Sequence, residues 1–293
     1  MHTSVLLNEV LEYLDPQPGK NFIDATFNGG GHGTALAQRI VPNGRLIGIE
    51  WDINLAAEAK KKFAEGPYRD VVTVVNDSYV NIAGIAREHG MQPDGILFDL
   101  GLSSWHYESG RGFSFKGDEP LDMRFNIASG TPATEVVNLY EVAELEQILR
   151  DYGDEQFSCQ IAHNIGAQRK KQPIMTTSQL VQVISDAVPE WYKHRKIHFA
   201  TKTFQAIRVV VNNELANVRT GVEAALDILK PGGRVVVISF QGHEDKLVRE
   251  LFKEYIKKDL IVLPAHRTIR PTWAEQQDNR RSRSAKMKVA EKI

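Results

Sequence analysis

Three acids that close apolar runs, with a cluster of glycines between the first two, are the residues of this chain whose types and spacing could do chemistry. Asp24 ends Asn21-Phe22-Ile23, Glu50 ends Arg45-Leu46-Ile47-Gly48-Ile49, and Asp99 ends Asp94-Gly95-Ile96-Leu97-Phe98. Gly29, Gly30, Gly31 and Gly33 crowd the turn after Asp24, and Thr34-Ala35-Leu36-Ala37-Gln38-Arg39-Ile40 opens a helix. A strand, a glycine-rich turn and a helix in that order fit a nucleotide. A Cβ in such a turn would hold a ligand off the backbone, and several glycines can take positive φ. A dinucleotide turn wants G-x-G-x-x-G facing a pyrophosphate. Here the glycines are bunched more tightly, and Asp24, five residues before Gly29, would repel a diphosphate. The same carboxylate could hold the amino group of a methionine moiety, so S-adenosylmethionine suits the turn better.

Glu50, at the end of the second strand, stands where a ribose diol is held by acceptance of both hydroxyls, whereas Asp52 reads as the start of the next helix. Val71-Val72-Thr73-Val74-Val75 is a third strand, and Tyr79 after it could cover an adenine face. The plainer reading of Asn76-Asp77-Ser78-Tyr79 is a helix cap at Asp77 or Ser78 beside a half-buried tyrosine. Asp99 opens Leu100-Gly101-Leu102-Ser103-Ser104-Trp105-His106, a polar loop at the fourth strand end and the catalytic candidate.

These residues must be held by a parallel sheet. Strand and helix alternate from residue 21 to 99, which predicts a doubly wound α/β fold with ligands beyond the carboxyl ends of the strands. From about Tyr107 to Ala200 helices take over. Leu145, Ile148, Leu149 and Tyr152 recur at helical spacing, as do Leu180, Val183, Ile184 and Ala187. We therefore expect residues 1–106 and 201–293 to form one domain, interrupted by an all-helical insertion at 107–200. Phe204, Ile207, Val211, Leu215, Val218 and Val222 predict one long helix returning to the sheet, before Arg234–Phe240 as fifth strand. The tail ends in an alternating, strand-like run through Val289.

Composition limits the function classes. The 293 residues, 42% hydrophobic, suffice for at least one full core, and 36 Lys plus Arg against 37 Asp plus Glu confine any nucleic-acid surface to a local patch. The single Cys159 excludes an internal disulfide and a multi-cysteine zinc site. With no signal-like N-terminus and no run of transmembrane length, we expect a soluble cytoplasmic protein. His194 and His198 stand four apart, but Arg195 and Lys196 lie between them where a metalloprotease has glutamate, so no metal is expected.

Asp94 to Ser104, Arg111-Gly112-Phe113-Ser114-Phe115 and Pro120-Leu121-Asp122-Met123-Arg124 closely resemble the MraW family, also called RsmH. The likeness continues in His2-Thr3-Ser4-Val5-Leu6-Leu7, in Ala200-Thr201-Lys202-Thr203-Phe204-Gln205-Ala206-Ile207-Arg208 and in Arg281-Ser282-Arg283-Ser284-Ala285-Lys286, spanning nearly the whole chain in order. The resemblance implies a Rossmann-like class I methyltransferase sheet and S-adenosylmethionine as methyl donor. It implies transfer to the N4 amine of a cytidine in 16S rRNA, with the small ribosomal subunit as partner. Carried onto matching positions, it implies cofactor contacts at Gly30, Gly31, His32, Glu50, Tyr79, Asp99 and His106. The family resembles aspartate where Glu50 stands and glutamine where His106 stands. Its His-Ser-Leu-Glu-Asp pattern meets Gln241-Gly242-His243-Glu244-Asp245 here, so no proton-handling role falls to Gln241. The segment from Asp259 to Gln277 is also shorter than is common in the family.

An extruded base needs an aromatic face and cations near its phosphate. Arg111, Phe113, Phe115, Arg124, His198, Lys202 and Arg208 are the candidates in the helical part, with Arg281 and Arg283 in the basic tail. Arg169, Lys170, Lys171, Lys193, Arg195 and Lys196 read either as solvated surface or as phosphate contacts. Cytosine's amine is a poor nucleophile, so an enzyme must accept its protons and align it with the methyl group. Cys159, in the helical insertion, argues against a cysteine-adduct route. Three other readings remain open: a methyltransferase of this fold with another substrate, a nicotinamide-dependent oxidoreductase, and a noncatalytic RNA binder. The oligomeric state also stays open, a dimer included.

Overall fold

The computed structural model describes residues 4–293, so His2 and Thr3 of the family-like opening run lie outside the described residues. The chain forms two compact units, one of residues up to Gly101 together with Leu215–Ile293, the other of Leu102–Glu214.

The first unit begins α1 (Leu7–Leu14), β1 (Asn21–Asp24), α2 (Gly31–Ile40), β2 (Arg45–Glu50), α3 (Ile53–Ala64), β3 (Val72–Asn76), a 3-10 turn at Tyr79–Asn81, α4 (Ile82–Glu88) and β4 (Gly95–Asp99). The second unit then contributes α5 (Ser104–Glu108), α6 (Ala133–Leu139), α7 (Val142–Gly153), α8 (Ser158–Arg169), α9 (Thr177–Ala187), α10 (Glu190–Lys193) and α11 (Thr201–Val211). The chain returns through α12 (Glu214–Ile228), β5 (Arg234–Ser239), α13 (Gly242–Ile256), β6 (Ile261–Val262), α14 (Trp273–Asp278) and β7 (Lys286–Lys292).

The seven strands lie in the order β3-β2-β1-β4-β5-β7-β6. All neighbours are parallel except those of β7, which runs antiparallel to both β5 and β6. Successive strand residues point to opposite faces, and both faces are covered. Ile23, Ile47, Ile49, Ile96, Phe98, Val235 and Val237 meet α4, α12 and α13, while Phe22, Leu46, Leu97, Val236 and Ile238 meet α1, α2 and α3. This explains why the strands read as unbroken apolar runs. Strand order reverses between β1 and β4, and in sheets of this kind the crevice at that reversal takes the ligand.

β7 is pinned by Asp245 of α13, whose carboxylate pairs with Lys286 at 3.2 Å and with Lys288. The two lysines hold its carboxyl below the usual range against the opposing effect of burial. Two lysines near the end of the basic tail therefore work inside the fold.

The single long return helix is corrected by the structure. Asn213 takes φ +50° and splits it into α11 and α12. Phe204 and Ile207 of α11 pack in the helical core with Leu145, Ile161 and Leu180, whereas Val218 and Val222 of α12 pack on the sheet. The helical unit therefore begins earlier than residue 107 and ends later than residue 200.

Candidate active site

The turn after β1 is wired to its neighbouring strands by short polar side chains. Thr26 Oγ1 accepts the Asp99 amide at 2.6 Å, and the Asn28 amide, at φ +50°, donates to Glu50 Oε2 at 2.8 Å. Glu50 Oε1 accepts the Asp52 amide at 2.8 Å. Both oxygens of Glu50 are thus aimed by backbone groups, each keeping a further lone pair for a ribose hydroxyl. Asp52 caps α3, accepting from the amides of Asn54 and Leu55, as read from the sequence.

The helix after the turn begins at Gly31, three residues before the expected start, so His32 and Gly33 lie in its first turn. Most of the glycines serve packing more than ligand approach. A Cβ on Gly30, which has φ +71°, would meet the Phe63 ring at 2.5 Å; on Gly31 it would strike Ser4, and on Gly33 the Phe27 ring. Only Gly29 of the four has open space beside it, the feature expected where a ligand approaches the backbone.

Asp24, Glu50 and Asp99 stand at the ends of β1, β2 and β4. Burial pushes the carboxyl of each up to about 7. Among the described residues no Lys or Arg pairs with any of the three; Asp24 accepts only the Thr26 amide, at 3.2 Å. Asp99 keeps 19% of its side chain accessible, yet its Oδ1 is sealed from solvent without a hydrogen-bond partner. Unpartnered buried carboxylate oxygens are costly, which makes this group a ready acceptor.

His32 lies among these acids, 6% exposed, with Nε2 3.0 Å from the Val5 carbonyl and Nδ1 3.6 Å from Asp99 Oδ2. A carbonyl only accepts, so the hydrogen-bond partners assign the ring proton to Nε2 and leave the Nδ1 lone pair facing Asp99. Burial lowers the imidazole below its ordinary value, so the ring is neutral there. Tyr79 stands edge-on to Phe98 at 5.6 Å and rests against Gly221 of α12, half-buried, while Ser78 caps the 3-10 turn, as the plainer reading had it.

The helical unit places the remaining candidates differently from expectation. Arg208 is buried and bidentate to Glu214, at 2.7 and 3.0 Å, so its expected place on an RNA surface is corrected. Arg124 is likewise bidentate to Asp122, at 2.9 and 2.7 Å. Arg111 donates to the carbonyls of Arg124 and Phe125 and lies over the Trp105 ring at 4.8 Å. Lys202 donates to the Asp154 carbonyl at 2.5 Å, and Arg169 to those of Val137 and Tyr140. Phe113 is buried, stacked with Phe125 at 5.7 Å. Phe115 stacks on exposed His198 at 4.5 Å, while His194 lies 3.1 Å from Glu190. These side chains brace the insertion's own loops. Arg281 and Arg283 are exposed on the 3-10 turn Arg280–Ser284, with Arg283 donating to the Gln276 carbonyl at 3.2 Å.

His106 belongs to the helical unit, 4% exposed among Trp105, Phe113 and Phe125. Its Nδ1 lies 2.8 Å from Ser103 Oγ, its Nε2 has no partner, and burial lowers the ring to about 3, with Arg111 and Arg208 adding to the effect. Gln241 forms a capping box with Glu244 at the start of α13, a structural reason for an amide at that position.

Sequence reasoning missed Thr26, Asn28 and Asn212. Asn212 accepts from the Phe125 amide at 2.7 Å and donates to the Met123 carbonyl at 2.8 Å, holding Met123 at φ +61°. Short polar residues beside glycines or at a helix break were the available signal. Glu146, Cys159 and His163 also converge at the surface of α7 and α8, although Arg150 takes up Glu146 at 3.2 Å.

The strand order, with its single reversed strand, and the acids at the strand ends define a class I, S-adenosylmethionine-dependent methyltransferase. A Clostridium thermocellum protein proposed to be an rRNA methylase shares this fold, with a TM-score of 0.50 over all of both chains at 14% identity. The model of the MraW methylase family matches residues 1–293, and the chain belongs to that family. The ribosomal RNA small subunit methyltransferase H of Lactobacillus helveticus is 40% identical, the match covering 100% of this chain and 99% of that protein. The protein of the same name from Symbiobacterium thermophilum is 38% identical, with 100% and 96% covered.

Proposed function

We propose that this protein transfers the methyl group of S-adenosylmethionine to the N4 amine of a cytidine in the decoding region of 16S rRNA, in the cytoplasm, with the small ribosomal subunit as substrate. The reading rests on one observation above all, the unpartnered Asp99 Oδ1 within a group of three buried acids at the strand-order reversal. Those acids fit a ligand bearing an ammonium and a sulfonium, since among the described residues no Lys or Arg pairs with them. Bound there, S-adenosylmethionine supplies an electrophilic methyl group.

Asp24 would hold the donor's amino group and Glu50 its ribose hydroxyls, with Gly29 leaving room beside the backbone and Tyr79 against the adenine. The accessible part of the Asp99 carboxylate would accept a hydrogen bond from the cytosine amine, which holds the nitrogen lone pair in line and takes up the proton released as nitrogen is alkylated. A carboxyl near 7 is matched to that task at neutral pH, and neutral His32 behind it adds no cation to suppress its basicity. The helical unit would carry substrate recognition.

The test is incubation of the purified protein with methyl-labelled S-adenosylmethionine and small subunits lacking the modification, followed by digestion to nucleosides. Label in N4-methylcytidine is the expected outcome. Label in another nucleoside, or none, would overturn the proposal.

A further inference from the structure

The helical unit exposes two large apolar side chains within one short basic stretch. Trp191 of α10 is 58% accessible and Ile197, in the turn that follows, 60%. Apolar groups so exposed are ordinarily scattered; here they flank Lys193, Arg195 and Lys196, with Glu190 the only acid between residues 190 and 199. Glu190 is taken up locally by Lys193 at 3.1 Å and His194 at 3.1 Å.

Trp191 is also held in place. Its neighbour Tyr192 is buried, donating its hydroxyl to Glu155 at 2.9 Å, and Phe157 meets Tyr192 edge-on at 4.9 Å. Trp191 leans on both rings, 5.9 Å from Phe157 and 5.7 Å from Tyr192. Arg195 lies over Tyr192 at 5.2 Å, and His198 is fixed by its stack on Phe115. A preorganised indole with an accessible face thus stands next to cations. A single-stranded nucleic acid offers π-faces and phosphates at short repeat, and stacking on aromatics tolerates any base.

We infer that residues Trp191 to His198 form a platform for a single-stranded stretch of the RNA substrate outside the reacting cytidine, Trp191 stacking on a base and Arg195 and Lys196 meeting the adjoining phosphates. This rests on the RNA methyltransferase reading above.

The experiment uses the full chain and three variants: Trp191→Ala, Trp191→Phe, and Arg195→Glu with Lys196→Glu. Binding to a fluorescently labelled single-stranded RNA oligonucleotide is followed by anisotropy across a salt series, alongside methyl transfer to small subunits and thermal melting. Trp191→Ala should weaken RNA binding roughly ten-fold and raise KM without lowering kcat, while Trp191→Phe restores most of the affinity. The double charge variant should flatten the salt dependence, its log–log slope falling by about 1.4 for two lost phosphate contacts. Unchanged RNA affinity and salt slope in variants that melt like the parent would overturn the inference. Loss of affinity for subunits with oligonucleotide binding intact would overturn it too, assigning the face to a protein. If the parent binds RNA through Trp191 but labels no cytidine, the proposed function fails and the platform stands.

Discussion

His32 Nδ1 and Asp99 Oδ2 face one another at 3.6 Å with no imidazole proton between them. A histidine beside an aspartate usually supplies a charge; this one is neutral, and it leaves Asp99 as basic as burial makes it. On the function proposed above, the three acids receive the positive charge of the methyl donor.

Asp24, Glu50 and Asp99 titrate near 7 when folded, against about 4 unfolded. Between those values the folded state holds more protons, so the contribution of these groups to stability is greatest at low pH and falls as pH rises towards 7. The melting temperature of the ligand-free protein should decline from pH 5.5 to 7.5, and S-adenosylmethionine binding at pH 7 should release protons as its cations draw the carboxyls down. Calorimetry in buffers of different ionisation heat reads this directly; identical heats would contradict it.

Asp99→Asn keeps the shape of the side chain and one accepting oxygen but removes the basic carboxylate that would take up the proton. Methyl transfer should fall by roughly 10²–10⁴-fold. Melting should be retained, and its pH dependence between 5.5 and 7.5 should flatten by about 1 kcal/mol per pH unit. Near-parental turnover would place the acceptor elsewhere.

Glu50→Gln sets an amide nitrogen against one of the two backbone N–H donors, from Asn28 and Asp52, that the carboxylate now accepts. The expected cost is about 1–3 kcal/mol of stability, with weaker S-adenosylmethionine binding. Equal melting and equal donor affinity would show that Glu50 neither organises the turn nor meets the ribose.

Arg208→Ala strands buried Glu214 and should destabilise the chain by about 3–5 kcal/mol in denaturant unfolding. Arg208→Ala with Glu214→Ala should recover part of that loss. The salt dependence of RNA binding should not change in either variant; a reduced slope would restore Arg208 to the RNA surface.

Arg281→Glu with Arg283→Glu changes exposed side chains, so folding should be spared. RNA affinity should drop at low salt and converge on the parent's at high salt. Salt-independent or unaltered binding would remove the tail from the interface.

Much of the sheet was legible because buried parallel strands are short apolar runs between turn signals, and Asp24, Glu50 and Asp99 each mark where a run ends at the carboxyl edge of the sheet. The helical unit was legible as periodicity but not as extent. The apolar stripe from Phe204 to Val222 keeps its spacing across Asn213, where the backbone turns, and periodicity carries no record of which core each half enters. The basic candidates were the least legible. A guanidinium has the same sequence appearance whether it meets a phosphate or, like Arg208 and Arg124, a carboxylate a few residues away.

Local chemistry was enough to determine the strand–turn–helix order and the acids that end the strands, because propensity and hydrophobic period act over a few residues. Tertiary structure alone decided that Gly30, Gly31 and Gly33 make room for Phe63, Ser4 and Phe27, that Lys286 and Lys288 are taken up by Asp245, and that Asp99 keeps an oxygen without a partner. Those outcomes depend on which distant atoms are brought within a few ångströms, and burial and pairing are properties of that arrangement.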